Sequence, residues 1–254
     1  MAADILEKIA ADKRIQVAEE KKSVSLEKMR EMALETKGML PDFIFEHTLK
    51  KDGISFICEV KKASPSKGVI AKDFPYVDIA KEYEAAGADC LSVLTEPKYF
   101  LGSDQYLEEI RQAVKLPILR KDFTVDTYQI YQAKVLGANA ILLICALLDM
   151  DFMKESIRIC DELGLTALVE AHEEEEIRMA IEAGARVIGV NNRNLKDFSV
   201  DIKNSTRLRK YAPEGTIFVA ESGIRDRKDV AAFETEEVTA VLVGEQLLRA
   251  DDKK

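Results

Sequence analysis

Short apolar runs rich in β-branched residues alternate with amphipathic stretches over most of the chain. Short apolar runs bounded by turn residues are typical of buried strands, and a 3.6-residue apolar period is typical of helices. The predicted strands span residues 55–60, 90–94, 118–121, 140–144, 166–170, 187–191, 217–221 and 240–243. The predicted helices between them span residues 78–86, 106–114, 127–136, 150–163, 173–183, 202–211 and 227–233. Continuous apolar strands separated by helices indicate a parallel sheet that helices cover.

A glycine-containing repeat marks the ends of three predicted helices. Gly-Ala-Asp at 87–89, Gly-Ala-Asn at 137–139 and Gly-Ala-Arg at 184–186 each stand just before a predicted strand. Glycine is favoured there because the residue that follows a helix often takes the left-handed conformation. A fourth copy is expected before residue 240, but the chain places Glu237 at the glycine position.

Eight βα units within about 200 residues predict a (β/α)8 barrel. A doubly wound open sheet is the alternative, but no glycine-rich dinucleotide fingerprint follows the first strand. Residues 1–48 are predicted to be a charge-rich helical extension with apolar positions at Ile5, Leu6, Ile9, Ile15 and Val17. We therefore expect one domain over residues 1–254, in which this extension precedes a barrel at 49–254.

The composition is that of an ordinary globular protein, with 47% hydrophobic and 33% charged residues. A net charge of −9 argues against a nucleic-acid-binding surface, which needs clustered lysine and arginine. The longest apolar run, at 140–148, is too short to span a membrane. The first residues lead into a charged helix and carry no signal-peptide core. We expect a cytoplasmic monomer that binds neither nucleic acid nor membrane.

Histidine and cysteine usage gives no pattern for a metal site. The chain has two histidines, His47 and His172. Its four cysteines lie in apolar strand or helix contexts without metal-ligand spacing: Cys58, Cys90, Cys145 and Cys160. We expect reduced thiols, no metal and no cofactor.

Charged and amide side chains stand at the carboxyl ends of several predicted strands, where (β/α)8 barrels carry their active sites. They are Glu59, Lys61 and Ser64 after the first strand, Lys121 after the third, Glu170 after the fifth, Asn191 and Arg193 after the sixth and Glu221 after the seventh. Each charge alone fits a solvated rim residue equally well, and Glu59 with Lys61 fits a plain ion pair. Together they favour an acid/base catalytic site.

Two glycine turns follow the last two predicted strands, at Ser222-Gly223 and at Gly244-Glu245. Loops in these positions of a (β/α)8 barrel often bind phosphate through backbone N–H groups, and glycine lets the backbone come close. An ordinary βα turn is the alternative for each turn alone. Because Lys61 and Ser64 are placed to reach across from the first strand, the pattern favours a phosphate site.

Five motifs follow one another along the chain: Glu-Val-Lys-Lys-Ala-Ser-Pro-Ser-Lys-Gly at 59–68, Leu-Thr-Glu-Pro-Lys-Tyr-Phe at 94–100, Leu-Arg-Lys-Asp-Phe at 119–123, Ile-Gly-Val-Asn-Asn-Arg-Asn-Leu at 188–195 and Ala-Glu-Ser-Gly-Ile at 220–224. They closely resemble the indole-3-glycerol-phosphate synthase family, and the resemblance covers essentially the whole chain. It implies a metal-free carboxy-lyase of tryptophan biosynthesis. The implied substrate is 1-(2-carboxyphenylamino)-1-deoxyribulose 5-phosphate, and the products are indole-3-glycerol phosphate, CO2 and water.

The resemblance also implies catalytic roles. Lys121 resembles the general acid that protonates the ketone oxygen and later helps the hydroxyl group leave, and Glu170 resembles the general base of the dehydration. Lys61 resembles a residue that holds the anionic groups of the substrate; the sequence does not divide acid duty between the two lysines. Glu59 is expected to orient a lysine, and Glu221 to stabilise positive charge near the substrate nitrogen.

Binding roles follow from the same resemblance. Asn191 is expected to hydrogen-bond polar groups of the substrate, Arg193 to hold its carboxylate and Ser222 to bond its sugar-derived chain. The phosphate is assigned to Ser64, Gly223, Gly244 and the backbone N–H of Glu245. An apolar wall for the aromatic ring is assigned to Phe100, Phe123, Leu142, Ile144 and Leu195, for which ordinary packing is the alternative.

Three other functions compete with this one. Another phosphate-binding barrel, such as phosphoribosylanthranilate isomerase, is one alternative. A Schiff-base aldolase at Lys61 or Lys121 is a second, and borohydride trapping of an imine would identify it. A barrel that binds phosphate ligands, or serves as a subunit, without turnover is the third. The chain departs from the family pattern at 231–239 and in its short final segment, where we expect effects on stability more than on catalysis.

Overall fold

The computed structural model describes residues 5–71, 73–194 and 198–249. Its centre is a closed barrel of eight parallel strands, numbered here in chain order. They are β1 (Ser55–Val60), β2 (Cys90–Leu94), β3 (Ile118–Lys121), β4 (Ala140–Ile144), β5 (Thr166–Ala171), β6 (Val187–Asn191), β7 (Ile217–Glu221) and β8 (Ala240–Val243). β1 pairs with both β2 and β8, which closes the barrel. The predicted (β/α)8 barrel is confirmed, and the open sheet is excluded.

Helices precede the barrel and follow each of its strands. Before β1 lie α1 (Ile5–Ser23), α2 (Leu26–Glu35) and α3 (Ile44–Leu49); after successive strands come α4 (Tyr76–Ala86), α5 (Asp104–Ala113), α6 (Tyr128–Val135), α7 (Met150–Leu163), α8 (Glu174–Glu182), α9 (Lys203–Arg209), α10 (Arg227–Thr235) and α11 (Glu245–Arg249). The seven predicted helices all form, with ends that differ from the prediction by at most two residues. A two-stranded hairpin of Ala63–Ser64 and Gly68–Val69 follows β1. Within the described ranges, no helix is long and apolar enough to cross a membrane.

The glycine repeat has the conformation that its sequence predicts. Gly87, Gly137 and Gly184 have φ angles of 93°, 88° and 92°, in the left-handed region. Glu237 stands at the fourth position with a φ of 56°, so the chain keeps the turn without the residue that favours it. A side chain in this conformation costs on the order of 1 kcal/mol.

The N-terminal helices close both ends of the barrel. The apolar interior of the barrel packs against Phe45 and Leu49 of α3, where the backbone N–H of Glu46 meets the Thr166 hydroxyl at the start of β5. At the opposite, carboxyl end, Leu6 and Ile9 of α1 pack with the same interior cluster. The extension therefore contributes to the end of the barrel that carries the predicted site.

The apolar positions of α1 are not all buried. Ile15 is 65% exposed. The buried stripe follows helical spacing through Leu6, Ile9, Lys13 and Val17, and Ile15 lies on the opposite side of the helix. Lys13 is tolerated in this stripe because its ammonium group lies 2.9 Å from an Asp122 carboxylate oxygen.

Candidate active site

A cavity of about 530 Å³ opens at the carboxyl ends of the barrel strands. This volume falls in the range of small-ligand sites, about 300–1,000 Å³. Fifteen predicted site residues line it: Glu59, Lys61, Ser64, Phe100, Lys121, Phe123, Leu142, Glu170, Asn191, Arg193, Glu221, Ser222, Gly223, Gly244 and Glu245. The predicted Leu195 lies outside the described residues. The barrel thus brings together side chains that are far apart in the sequence.

Lys121 is the centre of a buried charge cluster in this cavity. Its Nζ atom lies 3.2 Å from Oε2 of Glu170 and 3.5 Å from Oε2 of Glu221. The other oxygen of Glu170 accepts a hydrogen bond of 3.3 Å from Nδ2 of Asn191. Oε1 of Glu221 is buried and, among the described residues, has no hydrogen-bond partner. Glu170 is thus held on two sides, whereas Glu221 keeps one oxygen for another partner.

The cluster separates the protonation states of its carboxyl groups. Burial opposes the charge of Lys121, but Glu170, Glu221 and Glu59 outweigh it and raise the pKa of the ammonium group. Burial also opposes the charge of Glu170, yet Lys121 and further partners lower the pKa of this carboxyl. Burial foremost, and then repulsion from Glu170 and Glu59, raises the pKa of Glu221 to about 8 despite Lys121. At neutral pH Glu170 is ionised and Glu221 is protonated, a division typical of acid/base sites.

Two glycines leave space for the carboxyl groups of Glu59 and Glu221. Glu59 forms an ion pair with Lys61 at the end of β1. A Cβ atom on Gly244 would lie 2.7 Å from Oε1 of Glu59, and one on Gly189 would lie 2.1 Å from Oε1 of Glu221. Gly244 was predicted as a phosphate contact, whereas Gly189 was missed. Its signal was a glycine inside an apolar strand, which marks a close approach.

The turns after β7 and β8 face the hairpin that follows β1. Ser222 has a φ of 67° and Gly223 a φ of 81°, so two successive residues are left-handed. Strained non-glycine residues such as Ser222 are common at functional sites. Across the cavity, Nζ of Lys67 lies 3.7 Å from Oε1 of Glu245. Polar backbone and cationic side chains therefore converge at this end of the cavity.

The opposite side of the cavity is apolar. The rings of Phe100 and Phe123 lie 6.0 Å apart, with a tilt of 41° between them. Leu142 and Ile144 line the same cavity, as do three residues of α1 that the sequence had placed only in the extension: Ile5, Leu6 and Ile9. Periodicity showed that α1 has an apolar face, but local sequence carries no signal for what that face covers.

The described residues contain no cluster of potential metal ligands. Over the ranges 5–71, 73–194 and 198–249, no group of histidine, cysteine, aspartate and glutamate side chains is arranged to hold a metal ion. His172, considered in the sequence only as a metal ligand, lies instead beside Glu170, with Nε2 3.7 Å from Oε1.

A closed (β/α)8 barrel with buried lysine and glutamate groups at the carboxyl ends of its strands is an acid/base enzyme of the barrel class. The family model described as indole-3-glycerol phosphate synthase matches residues 6–254. The chain belongs to this family.

Curated relatives agree with this assignment. The indole-3-glycerol phosphate synthase of Ruminiclostridium cellulolyticum is 56% identical over 248 residues, which cover 98% of this chain and 95% of the relative. That of Endomicrobium trichonymphae is 51% identical over 247 residues, which cover 97% and 95%. Among solved structures, KGPDC from Streptococcus mutans is similar, with a TM-score of 0.60. That chain is 13% identical, with coverage of 80% of this chain and 92% of its own, and shows the fold alone.

The predicted activity is confirmed by this membership. The protein is a decarboxylating carboxy-lyase of tryptophan biosynthesis, and its substrate is a phosphorylated small molecule. It closes the pyrrole ring of indole-3-glycerol phosphate with loss of CO2 and water.

Proposed function

We propose that Lys121 is the general acid and Glu170 the general base of this reaction. The observation that carries the proposal is the buried contact of Lys121 with both Glu170 and Glu221, whose protonation states differ. Opposed pKa shifts on neighbouring carboxyl groups are the usual arrangement for divided acid and base duties.

The first step needs a proton donor at the ketone oxygen of the substrate. The ammonium group of Lys121 supplies this proton while the ring carbon attacks the carbonyl carbon. Loss of CO2 then restores the aromatic ring. The same lysine, once protonated again, gives a proton to the hydroxyl group that leaves as water. A buried, water-poor position strengthens these charge interactions.

The second part of the reaction needs a base. Glu170 is ionised and its Oε1 is held by Asn191, so it is placed to remove a substrate proton during dehydration. With Glu221 protonated, the charges of Glu59 and Glu170 balance those of Lys61 and Lys121. Through its unpartnered oxygen, the carboxyl group of Glu221 then stabilises the positive charge that develops near the substrate nitrogen.

The remaining cavity residues hold the substrate. Lys61 holds the anionic groups of the substrate, Arg193 holds its carboxylate, and Asn191 hydrogen-bonds polar groups nearby. The phosphate binds the turns at Ser222-Gly223 and Gly244-Glu245, together with Ser64 of the facing hairpin. The aromatic ring packs against the apolar side, where Phe100, Phe123, Leu142 and the α1 residues lie; Leu195 stays a predicted member of this wall. The cavity volume of about 530 Å³ supports one substrate molecule.

Indole fluorescence tests the proposal. Purified protein is mixed with the carboxyphenylamino-deoxyribulose phosphate in the presence of a chelator, and the rise in fluorescence gives the rate. Lys121→Met should lower kcat by about 10²–10⁴-fold with far less effect on KM. The control is Lys81→Met, because Lys81 is exposed on α4, away from the cavity. Near-normal turnover of Lys121→Met would refute the general-acid role.

We also propose that the protein acts as a cytoplasmic monomer, as one domain and without nucleic acid. A net charge of −9 supports the last point, because nucleic acid repels an acidic surface. One chain supplies all fifteen described site residues, which supports a monomer. Light scattering across a concentration series measures the assembly, and a constant mass of two chains would refute the monomer.

A further inference from the structure

A second cavity of about 370 Å³ lies beside the first. Leu6 and Asn191 line both cavities, so the wall between them is thin. Most of the residues that line the second cavity are polar, among them His172, Glu173, Glu176, Asn192, Asp201 and Arg207. A polar cavity of this size holds several water molecules. It thus offers solvent a position beside His172.

His172 connects this second cavity with Glu170. It follows directly after β5 and has its Nε2 atom 3.7 Å from Oε1 of Glu170. Its other ring nitrogen, Nδ1, lies 3.5 Å from Oε2 of Glu176 on α8. The Nε2 atom is buried and has no hydrogen-bond partner anywhere in the described part of the chain. Buried polar atoms normally have a hydrogen-bond partner. This imidazole nitrogen faces a carboxylate and can form a hydrogen bond that the folded structure does not use.

The backbone fixes the position of His172. Its N–H donates to Oε2 of Glu176, and its carbonyl oxygen accepts a hydrogen bond of 3.1 Å from Nδ2 of Asn204. The ring can therefore close the gap to Glu170 by a small rotation without movement of the strand. Hydrogen bonds between catalytic groups are often this long before substrate binds.

The charges around His172 are mostly negative. Glu170 and Glu221 face it from the barrel, Glu173 and Glu176 from the start of α8, and Asp201 and Arg207 line the same cavity across from it. Burial opposes the charge of the imidazolium, but Glu176, Glu170 and Glu221 outweigh burial and raise the pKa of His172. A histidine raised in this way still exchanges its proton near neutral pH.

The reaction itself requires a proton from solvent. Conversion of a carboxylate into neutral CO2 leaves its negative charge on the product, so one proton must be taken up in each turnover. A substrate bound over Lys121 covers the first cavity, where that proton would otherwise enter. The second cavity is lined by His172, which lies beside Glu170 of the same cluster.

We propose that His172 delivers a proton from the second cavity to the Glu170–Lys121 pair in each turnover. This inference rests on the proposed roles of Lys121 and Glu170. After Lys121 has protonated the substrate, its amine is neutral. The Nε2 proton of the imidazolium passes to Oε1 of Glu170. Rotation of the carboxyl group breaks its hydrogen bond with Asn191 and brings the protonated oxygen to Nζ of Lys121, which takes the proton. The neutral imidazole regains a proton from water in the second cavity, so ammonium, carboxylate and imidazolium are restored. His172 is a positioning residue in this scheme because it does not touch substrate.

Chemical rescue tests the proposal. His172→Ala should lower the single-turnover rate by about 10²-fold or more, the usual loss when a positioned proton-transfer group is removed, with substrate affinity unchanged. Added imidazole should restore the rate in proportion to its concentration, because the truncated side chain leaves space beside the second cavity. His47→Ala is the matched control, since the other histidine lies exposed on α3. Imidazole should change neither that variant nor the unaltered protein.

Two results would overturn the inference. One is an unchanged single-turnover rate of His172→Ala across the pH range in which histidine titrates. The other is a loss that imidazole does not restore and that leaves the shape of the pH profile unaltered, which would give His172 a purely structural role. If His172→Ala does not fold, the same two measurements are made on His172→Gln. Failure of the Lys121 test would refute the proposed function, whereas failure here leaves that function intact.

Discussion

Two networks of buried charged groups start at the end of β3, on opposite sides of the strand. They differ in whether all of their buried polar atoms have hydrogen-bond partners. Strand alternation points Arg120 and Asp122 away from Lys121. The Arg120 guanidinium donates to Thr95, to the Gln129 carbonyl oxygen and to Asp104 at 3.2, 3.2 and 2.8 Å.

Asp122 completes this outer network. It accepts hydrogen bonds from Lys13, from the Thr95 hydroxyl and from the backbone of Phe123. The inner network around Lys121 instead keeps a buried oxygen of Glu221 and a buried nitrogen of His172 without partners among the described residues. The outer network is closed and holds the structure, whereas the inner one is left open for substrate and protons.

The largest expected effect comes from breaking the closed network. Arg120→Met should lower the free energy of unfolding by about 3–5 kcal/mol, because it leaves the buried Asp122 and the half-buried Asp104 short of a partner. Lys121→Met should cost less stability, since Glu170 can protonate beside the already protonated Glu221. Urea denaturation of both variants measures the difference. Equal losses would mean that the two networks do not differ in structural weight.

A smaller effect is expected from filling the space of the open network. Gly189→Ala places a Cβ atom 2.1 Å from Oε1 of Glu221, so the carboxyl group must move. The expected cost is about 1–3 kcal/mol of stability, as for other overpacked interiors, together with a loss of kcat. Thermal melts and the fluorescence assay measure both. Unaltered kcat would show that the position of Glu221 does not matter for turnover.

The protonation of Glu221 should appear in the pH dependence of stability. Its pKa is about 8 in the folded protein and 4.5 as the ordinary value, so the folded state holds a proton that the unfolded chain releases. This contribution is complete below pH 4.5, and stability falls as pH rises through that window to about 8. Glu221→Gln should remove this part of the decline. Urea denaturation at several pH values tests it, and the same slope in both proteins would contradict the raised pKa.

The smallest effect is expected far from both networks. Glu237→Gly should raise the free energy of unfolding by about 0.5–1 kcal/mol, because glycine takes the left-handed conformation without strain. Activity should not change. Glu236→Gly is the matched control, because Glu236 has a φ of −103° and glycine there should only destabilise. A loss of stability in Glu237→Gly would show that the strain is already relieved by its surroundings.

The sequence predicted the open network better than the closed one. Strand ends in a (β/α)8 barrel share one rim, so alternation and strand order were sufficient to place Glu59, Lys121, Glu170 and Glu221 together. The expectation that departures near 231–239 affect stability stays a prediction. No local rule showed that Lys13 would occupy the buried stripe of α1, because its partner lies 109 residues away.

The same limit explains the other omissions. Leu6 and Ile9 cover the cavity because of the way α1 packs on the barrel, and helical periodicity does not predict that packing. The reason for a glycine at position 189 becomes visible only when the Glu221 side chain of the neighbouring strand is placed against it. The sequence showed only that His172 lacks metal-ligand spacing. The structure shows that its two ring nitrogens lie between the carboxyl groups of Glu170 and Glu176.

The position of α1 has a consequence for the order in which the chain is built. The helix is synthesised before the barrel, yet the partner of its buried lysine lies 109 residues downstream. Contacts of such long separation form late, after the loops between them have closed. The apolar stripe of α1 is therefore uncovered while the barrel assembles, and the end of the barrel that performs the chemistry is among the last parts of the nascent molecule to be sealed.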